Sequence, residues 1–331
     1  MSAKLSAALI GAGQMGGHHA RVLAESDLTH LDAVVDPGEQ GEAVAALRHA
    51  RRLRSLEELL AGAPPDFAVV AVPTSAHFEV ASALLEAGIP VLVEKPIAAT
   101  ELEAQALLEL SERLGVELAV GHVERFNPAV GVLREKLEAK ELGRVFQVHT
   151  RRLSPFPARV GDTGVAFDLA THDLDIMCEL AGTPVRVSAE IDRRAHSSHE
   201  DLLAAILRFD SGIIGLLEVN WLTPTKVRQL TVTGERGMFI IDYLNQHLTL
   251  YENAHESASW PALDVFDGVT EGNVIRYAIP RVEPLRAQLE AFVRRVRGED
   301  VEVISAADGL RALRLALAVV EAGTAESTLR L

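Results

Sequence analysis

The chain has 331 residues, 48% of them hydrophobic, a formal net charge of −15 and a single cysteine, Cys178. This length and apolar content predict two globular domains, each able to bury a core, and one cysteine excludes an internal disulfide framework and fits a reducing cytoplasm. The acidic balance argues against a nonspecific nucleic-acid binder, which needs clustered Lys and Arg, and no apolar run reaches the ~20 residues that span a bilayer. The apolar stretch Leu5–Gly13 is short, is preceded by one lysine, Lys4, and runs into a glycine motif, so it reads as a strand rather than a secretory segment.

That first strand ends in Gly11-Ala12-Gly13-Gln14-Met15-Gly16, and a helical stretch from His18 to Glu25 follows. Strand, Gly-x-Gly-x-x-Gly turn and helix in this order form the dinucleotide-binding fingerprint. Gly11 allows the sharp turn, Gly13 lets backbone reach the pyrophosphate, and Gly16 lets the helix sit close on the strand. Gln14 and Met15 open the helix, whose N-terminal N–H groups and dipole favour a negative ligand.

Strands are predicted next at Leu31–Asp36, Phe67–Val72, Pro90–Glu94 and Glu117–Gly121, with helices at Glu39–Leu47, Ser55–Leu60, His77–Ala87 and Thr100–Leu114. Thr100-x-x-Glu103 is a capping box opening the last of these. Near-continuous apolar strands alternating with helices predict a doubly wound parallel sheet, an α/β Rossmann domain over residues 1–122, with its ligand at the carboxyl ends of the strands. Asp36 ends the second strand about 20 residues beyond the glycines, where a carboxylate accepts hydrogen bonds from the adenosine ribose and repels a 2′-phosphate. NAD is therefore favoured over NADP; the other reading of Asp36 is a turn residue before Pro37-Gly38. Arg48, Arg51, Arg52 and Arg54 read as a solvated helix end. Two further strand-end turns, Val72-Pro73-Thr74-x-x-His77 and Glu94-Lys95-Pro96, complete a cofactor set of Gly11, Gly13, Gln14, Met15, Gly16, Asp36, Pro73, Thr74, His77, Glu94 and Lys95. Lys95 faces the nicotinamide end, and Pro96 makes a cis peptide bond accessible.

Residues 123–331 read as an α+β domain for substrate binding and oligomerisation, its terminal helix able to pack back on the first domain. An amphipathic helix is predicted at Phe126–Glu138, a strand at Arg144–Leu153, a Pro/Gly loop at 154–164 and a helix at Phe167–Leu180. Strands follow at Val185–Arg193, Leu202–Phe209, Ile213–Trp221, Val227–Thr233, Met238–Asp242 and Leu248–Tyr251, joined by hairpin turns at Asp210-Ser211-Gly212 and Gly234-Glu235-Arg236-Gly237. Together they form a mostly antiparallel open sheet with helices on one face. A partner subunit is the simplest cover for the other, which predicts a homodimer or homotetramer. Residues 253–285 read as an irregular arm, followed by helices at Arg286–Arg297 and Ala306–Glu321.

Asp168, His172 and Asp175 stand at i, i+4 and i+7, so they share one helix face. A polar stripe is ordinarily the solvated side, but two acids flanking a histidine can fix its tautomer and raise its basicity. His18-His19 and His196-x-x-His199 are the only close histidine pairs, and neither has a third ligand at suitable spacing, so no metal is expected.

With Gly11–Gly16, Glu94-Lys95-Pro96 and Asp168-x-x-x-His172-x-x-Asp175 in that order, the chain resembles the glucose–fructose oxidoreductase/inositol dehydrogenase (Gfo/Idh/MocA) family over essentially its whole length. The resemblance implies an NAD-dependent dehydrogenase acting on CH–OH groups, with Lys95, Asp168 and His172 as the catalytic group; Thr171 stands where the family's second motif usually has glycine. Gly121–Pro128, Asn220–Lys226 and Thr233–Gly237 resemble members that act on nucleotide sugars, especially UDP-N-acetylglucosamine 3-dehydrogenases and their uronate relatives. It implies a substrate bound by Arg125, Asn127, Arg152, Asp168 and His172, with Arg159 and Lys226 as further cations for a UDP group. Free inositol or a glucose-type polyol is the alternative substrate, and a non-catalytic NAD-binding sensor the alternative of another class.

Overall fold

The computed structural model describes residues 3–157, 163–195, 198–254 and 271–331. By internal contacts the chain forms two units, Met1–Phe126 with Glu283–Arg314, and Asn127–Val282 with Leu315–Leu331. The first unit thus runs a few residues past position 122 and takes in a later segment of the chain.

The first unit alternates strand and helix: β1 (Leu5–Ile10), α1 (Gln14–Glu25), β2 (Thr29–Val35), α2 (Glu39–Arg48), β3 (Arg51–Leu53), α3 (Leu56–Leu60), β4 (Phe67–Val70), α4 (His77–Glu86), β5 (Val91–Val93), α5 (Glu101–Leu114) and β6 (Leu118–Val120). The strands pair in parallel in the order β3-β2-β1-β4-β5-β6. Ala7 to Ile10 and all of β4, β5 and β6 are buried, as a sheet covered on both faces requires. Strand order reverses between β1 and β4, the switch point at which such sheets bind ligands. The expected capping box is present: Thr100 Oγ1 accepts from Glu103 N–H at 3.2 Å, and Glu103 accepts from Thr100 N–H at 3.0 Å.

In this unit one strand differs from the sequence reading. Arg51 and Arg52, taken as a helix end, lie in the three-residue edge strand β3, where Arg51 pairs with Asp32 and Arg52 with Glu42. Short, charged edges of this kind resist pairing with other chains.

The second unit holds α6 (Pro128–Glu138), β7 (Val145–Pro155), α7 (Thr171–Ala181), β8 (Pro184–Asp192), β9 (Leu202–Phe209), β10 (Ile214–Asn220), β11 (Leu222–Gly234), β12 (Gly237–Asp242), β13 (His247–Asn253) and β14 (Glu271–Arg276). α8 (Pro284–Val296) follows in the first unit, α9 (Ala306–Thr324) runs from one unit into the other, and β15 (Leu329–Arg330) ends the chain. The nine-stranded sheet has the order β14-β13-β12-β11-β7-β10-β9-β8-β15, and only β7 and β10 pair in parallel. Its strands alternate: in β9, Leu203, Ala205, Leu207 and Phe209 are buried while Ile206 is 58% exposed. The buried face joins α6, α7 and the second half of α9 in one core that includes Leu133, Leu174, Met177 and Val319. β14 falls inside the stretch read as an irregular arm; residues 255–270 of that arm lie outside the described residues. No helix among the described residues is long and apolar enough to cross a membrane.

Candidate active site

The glycine loop shows what each glycine is for. Gly11 has φ +93°, and a Cβ there would lie 2.6 Å from the Ala71 carbonyl oxygen. Gly16 is held by packing, since a Cβ would lie 2.1 Å from the Gly11 carbonyl oxygen. Gly13 is different. Its φ of −62° suits any residue, and a Cβ would meet nothing within 4 Å. Neither backbone nor packing in this unit requires glycine there, whereas a bound pyrophosphate does. Gly13 is also the N-cap of α1, with no side-chain cap and no acidic residue in the first turn, so the helix end can take an anion.

Asp36 closes β2 beside this loop. Its Oδ2 accepts the Ala12 N–H at 2.8 Å and its Oδ1 the Gly38 N–H at 2.7 Å. The carboxylate is thus both the turn residue and a brace for the glycine loop. Each oxygen keeps a lone pair for a ribose hydroxyl.

Two strands further along, Glu94 and Lys95 follow β5, and the Lys95–Pro96 bond is cis. Glu94, read as a cofactor contact, is 8% exposed; its Oε1 meets His19 Nε2 of α1 at 2.7 Å, and its Oε2 accepts the Lys95 N–H at 3.2 Å. Burial alone would push this carboxyl up, but the His19 hydrogen bond and the charges of His19 and Lys95 outweigh it and hold Glu94 below its ordinary range. His77 is likewise buried. Its Nδ1 lies 2.8 Å from the Pro96 carbonyl and its Nε2 3.0 Å from the Val72 carbonyl, so its ring stands between two strand-end turns. Burial lowers its pKa against the pull of the two carbonyls. Pro73 and Thr74 lie at the turn after β4.

In the second unit, the residues read as one α-helix begin with a π-helical turn, Ala166–Ala170, before α7. Asp168 lies in the π turn and His172 just after it, both half-buried. Such turns re-aim side chains and recur at functional sites. Asp173 and Asp175 are 1% exposed. Glu200, absent from the sequence reading and 6% exposed, fixes the start of the turn: its Oε1 accepts the Ala166 N–H at 3.0 Å and its carbonyl the Val165 N–H at 3.0 Å.

Two residues read as substrate contacts also make structural bonds. Arg152 is 4% exposed and forms a two-pronged ion pair with Asp173, Nε to Oδ2 at 2.7 Å and Nη2 to Oδ1 at 3.1 Å, which ties its guanidinium to α7. Asn127 is the N-cap of α6. Its Oδ1 accepts the Ala129 N–H at 3.1 Å, and its Nδ2 donates to the Tyr243 carbonyl at 3.2 Å. Arg125 belongs to the first unit, with Nη2 3.5 Å from Asp308 Oδ1. Burial raises the Asp308 carboxyl, but Ser305, Arg125 and Arg311 more than offset that and leave it low. Lys226 is exposed on β11; Arg159 and His196 lie outside the described residues. Among the described residues, no three His, Cys, Asp or Glu side chains are grouped to hold a metal ion.

Comparison with known proteins gives this arrangement its context. Residues 5–122 match the family described as "Oxidoreductase family, NAD-binding Rossmann fold", and residues 130–240 match the GFO/IDH/MocA C-terminal domain. A myo-inositol dehydrogenase, Hyg17, of Streptomyces leeuwenhoekii is 31% identical over 98% of both chains. The chain belongs to the Gfo/Idh/MocA oxidoreductase family. Another similar member is the UDP-N-acetylglucosamine 3-dehydrogenase of Acidithiobacillus ferrooxidans, 29% identical over 94% of this chain and 95% of that one. A solved structure of that enzyme superposes with a TM-score of 0.85 at 27% identity, covering 98% and 99% of the two chains. This Gfo/Idh/MocA member is thus an oxidoreductase with an NAD-binding Rossmann domain and a mostly antiparallel C-terminal sheet.

Proposed function

We propose that the chain oxidises a secondary alcohol of a sugar, in the first place a nucleotide sugar such as UDP-N-acetylglucosamine or its uronate at C3. The observation that carries this reading is Lys95 at the carboxyl end of β5, on the opposite side of the switch point from Asp36. Asp36 then takes the adenosine ribose, the α1 N-terminus from Gly13 to Gly16 the pyrophosphate, and Pro73, Thr74 and Lys95 the nicotinamide half. NAD, when bound, accepts the hydride of the carbinol carbon. His172 takes the hydroxyl proton, an imidazole being suited to proton transfer near neutral pH. The Lys95 ammonium donates to the same oxygen and stabilises the developing alkoxide. Asp168 orients that pair.

A free inositol or glucose-type polyol is the second reading. It is favoured by the commitment of Arg152 to Asp173, which removes one cation from a UDP site, and by the likeness to the Streptomyces enzyme. The outward face of the large sheet, with Ile206 and Leu216 on it, supports assembly as a homodimer or homotetramer. The lone, buried Cys178 suits the cytoplasm.

The test is NADH formation with UDP-N-acetylglucosamine, its uronate, myo-inositol and glucose, for the wild type and for Lys95→Ala and His172→Ala. Turnover with a UDP-sugar, lost by about 100-fold or more in both variants while NAD still binds, is the expected result. Near-normal rates in both variants refute the assigned roles. Turnover only with inositol selects the second reading, and no turnover on any polyol favours a sensor.

A further inference from the structure

Two buried histidines in the first unit have no part in the chemistry above, and both end on the same three-residue turn. His19 stands on the buried face of α1, one helical turn beyond Gly16, and is 1% exposed. Its Nε2 reaches the Glu94 carboxylate, whose other oxygen accepts the Lys95 N–H. His19 Nδ1 is buried with no hydrogen-bond partner, so Nε2 is the nitrogen through which the ring engages Glu94. His77, from α4, approaches from the other end of the turn, with the Pro96 carbonyl at its Nδ1 and the Val72 carbonyl at its Nε2.

We propose that His19 and His77 are positioning residues for Lys95: they grip the Glu94-Lys95-Pro96 turn on both sides of the lysine and so fix where its ammonium stands. The argument is one of over-determination. A lysine side chain has four rotatable bonds, and its reach is only as definite as the backbone it starts from. Here the peptide N–H of Lys95 is held by a buried carboxylate, that carboxylate by His19, and the carbonyl of the next residue, Pro96, by His77. The Glu94 grip admits little else. A Cβ on Gly121 would lie 3.1 Å from the Glu94 carboxylate, so the neighbouring strand end is closed around it. The His19 arm also joins the lysine to the helix whose N-terminus is the pyrophosphate site, which makes α1 a brace shared by cofactor and catalytic group. The Pro96 arm ties Lys95 to the Val72-Pro73-Thr74 turn.

This inference rests on the reading of Lys95 as the alkoxide-stabilising group, so its test includes a measurement independent of turnover. Acetic anhydride acetylates lysines, and the extent at Lys95, read by peptide mass spectrometry against Lys4, Lys136, Lys140 and Lys226 in the same molecule, reports the environment of its amine. His19→Leu and His77→Leu are expected to change Lys95 labelling several-fold. They are also expected to lower kcat by about 10- to 100-fold with KM for NAD little changed. His19→Gln and His77→Asn each keep a donor at the gripping nitrogen's position and are expected to restore most of both. Unchanged Lys95 labelling in the Leu variants overturns the proposal, as does failure of the conservative variants to improve on them. If the Leu variants do not fold, Glu94→Gln and His77→Gln take their place: the first keeps shape without charge, the second displaces the donor by one methylene. Wild-type labelling in those two overturns it equally. Altered labelling in a protein without any redox turnover leaves the grip standing and sinks the functional reading instead.

Discussion

Asp36 Oδ2 accepts the backbone N–H of Ala12 at 2.8 Å, so the residue at the end of β2 is bonded to the middle of the glycine loop. One carboxylate thereby shapes the pyrophosphate site and, as proposed, reads the adenosine ribose. Asp36→Ala is expected to weaken NAD binding by about tenfold or more, since hydrogen bonds to a charged group contribute about 1.5–3 kcal/mol. NADP is expected to lose much less, because the charge that repels its 2′-phosphate is gone. Fluorescence titration of both cofactors checks this; an unchanged NAD-to-NADP ratio contradicts the assignment.

Gly13 and Gly16 separate binding from folding. A Cβ at Gly13 meets nothing, while one at Gly16 collides with the Gly11 carbonyl. Gly13→Ala should leave stability within about 1 kcal/mol, an N-cap loss being partly offset by reduced unfolded-state entropy. It should still weaken NAD binding by at least about tenfold, or 1.4 kcal/mol. Gly16→Ala should cost about 1–3 kcal/mol of folding stability through the forced backbone shift. Urea unfolding with and without NAD distinguishes the two; a large stability loss at Gly13 would show that the glycine serves the fold after all.

These contrasts also mark how far the sequence could be read. Glycine loop, parallel strands and capping box were legible because each rests on a local pattern: apolar runs, glycines at fixed offsets, Thr and Glu three apart. β3 was hidden because a three-residue edge strand carrying two arginines has neither apolar run nor alternation. The π turn was hidden because its residues keep helical spacing. The structural bonds of Arg152 and Asn127 were hidden for a shared reason: a polar side chain near a cleft motif looks the same in sequence whether it faces a ligand, caps a helix or neutralises a buried acid. His19 did leave a signal. It stands three positions after Gly16 on the face with Ala20 and Leu23, where an apolar residue is expected, and a buried polar group calls for a partner.

The buried Arg152–Asp173 pair makes its own prediction. Arg152→Leu removes both guanidinium prongs from the buried Asp173 carboxylate, which costs about 3–5 kcal/mol. The double variant Arg152→Leu, Asp173→Leu should recover much of that loss, because paired apolar replacements of buried ion pairs are often near neutral. Thermal and urea unfolding of the single and double variants measure the recovery. A substrate-binding Arg152 would give the opposite pattern, a raised substrate KM in a protein of normal stability.

Two groups of the first unit, His77 and Glu94, should each make stability fall with acid. Burial lowers the pKa of His77, so between its folded value and about 6.5 the unfolded chain binds a proton that the folded chain does not. Its contribution is present at neutral pH and is lost as pH drops below about 6.5. Glu94 is held below the ordinary carboxylate range despite its burial, because His19 donates to it and the charges of His19 and Lys95 favour the anion. Its contribution is present above about pH 4.5 and disappears as pH falls through the lower folded value. His77→Asn should therefore flatten the decline that begins below about pH 6.5, and Glu94→Gln the steeper decline below about pH 4.5. Urea midpoints across this range for the three proteins check both arms. A Glu94→Gln variant that loses stability with acid as steeply as the wild type would show that the Glu94 carboxyl titrates alike in the folded and unfolded chain.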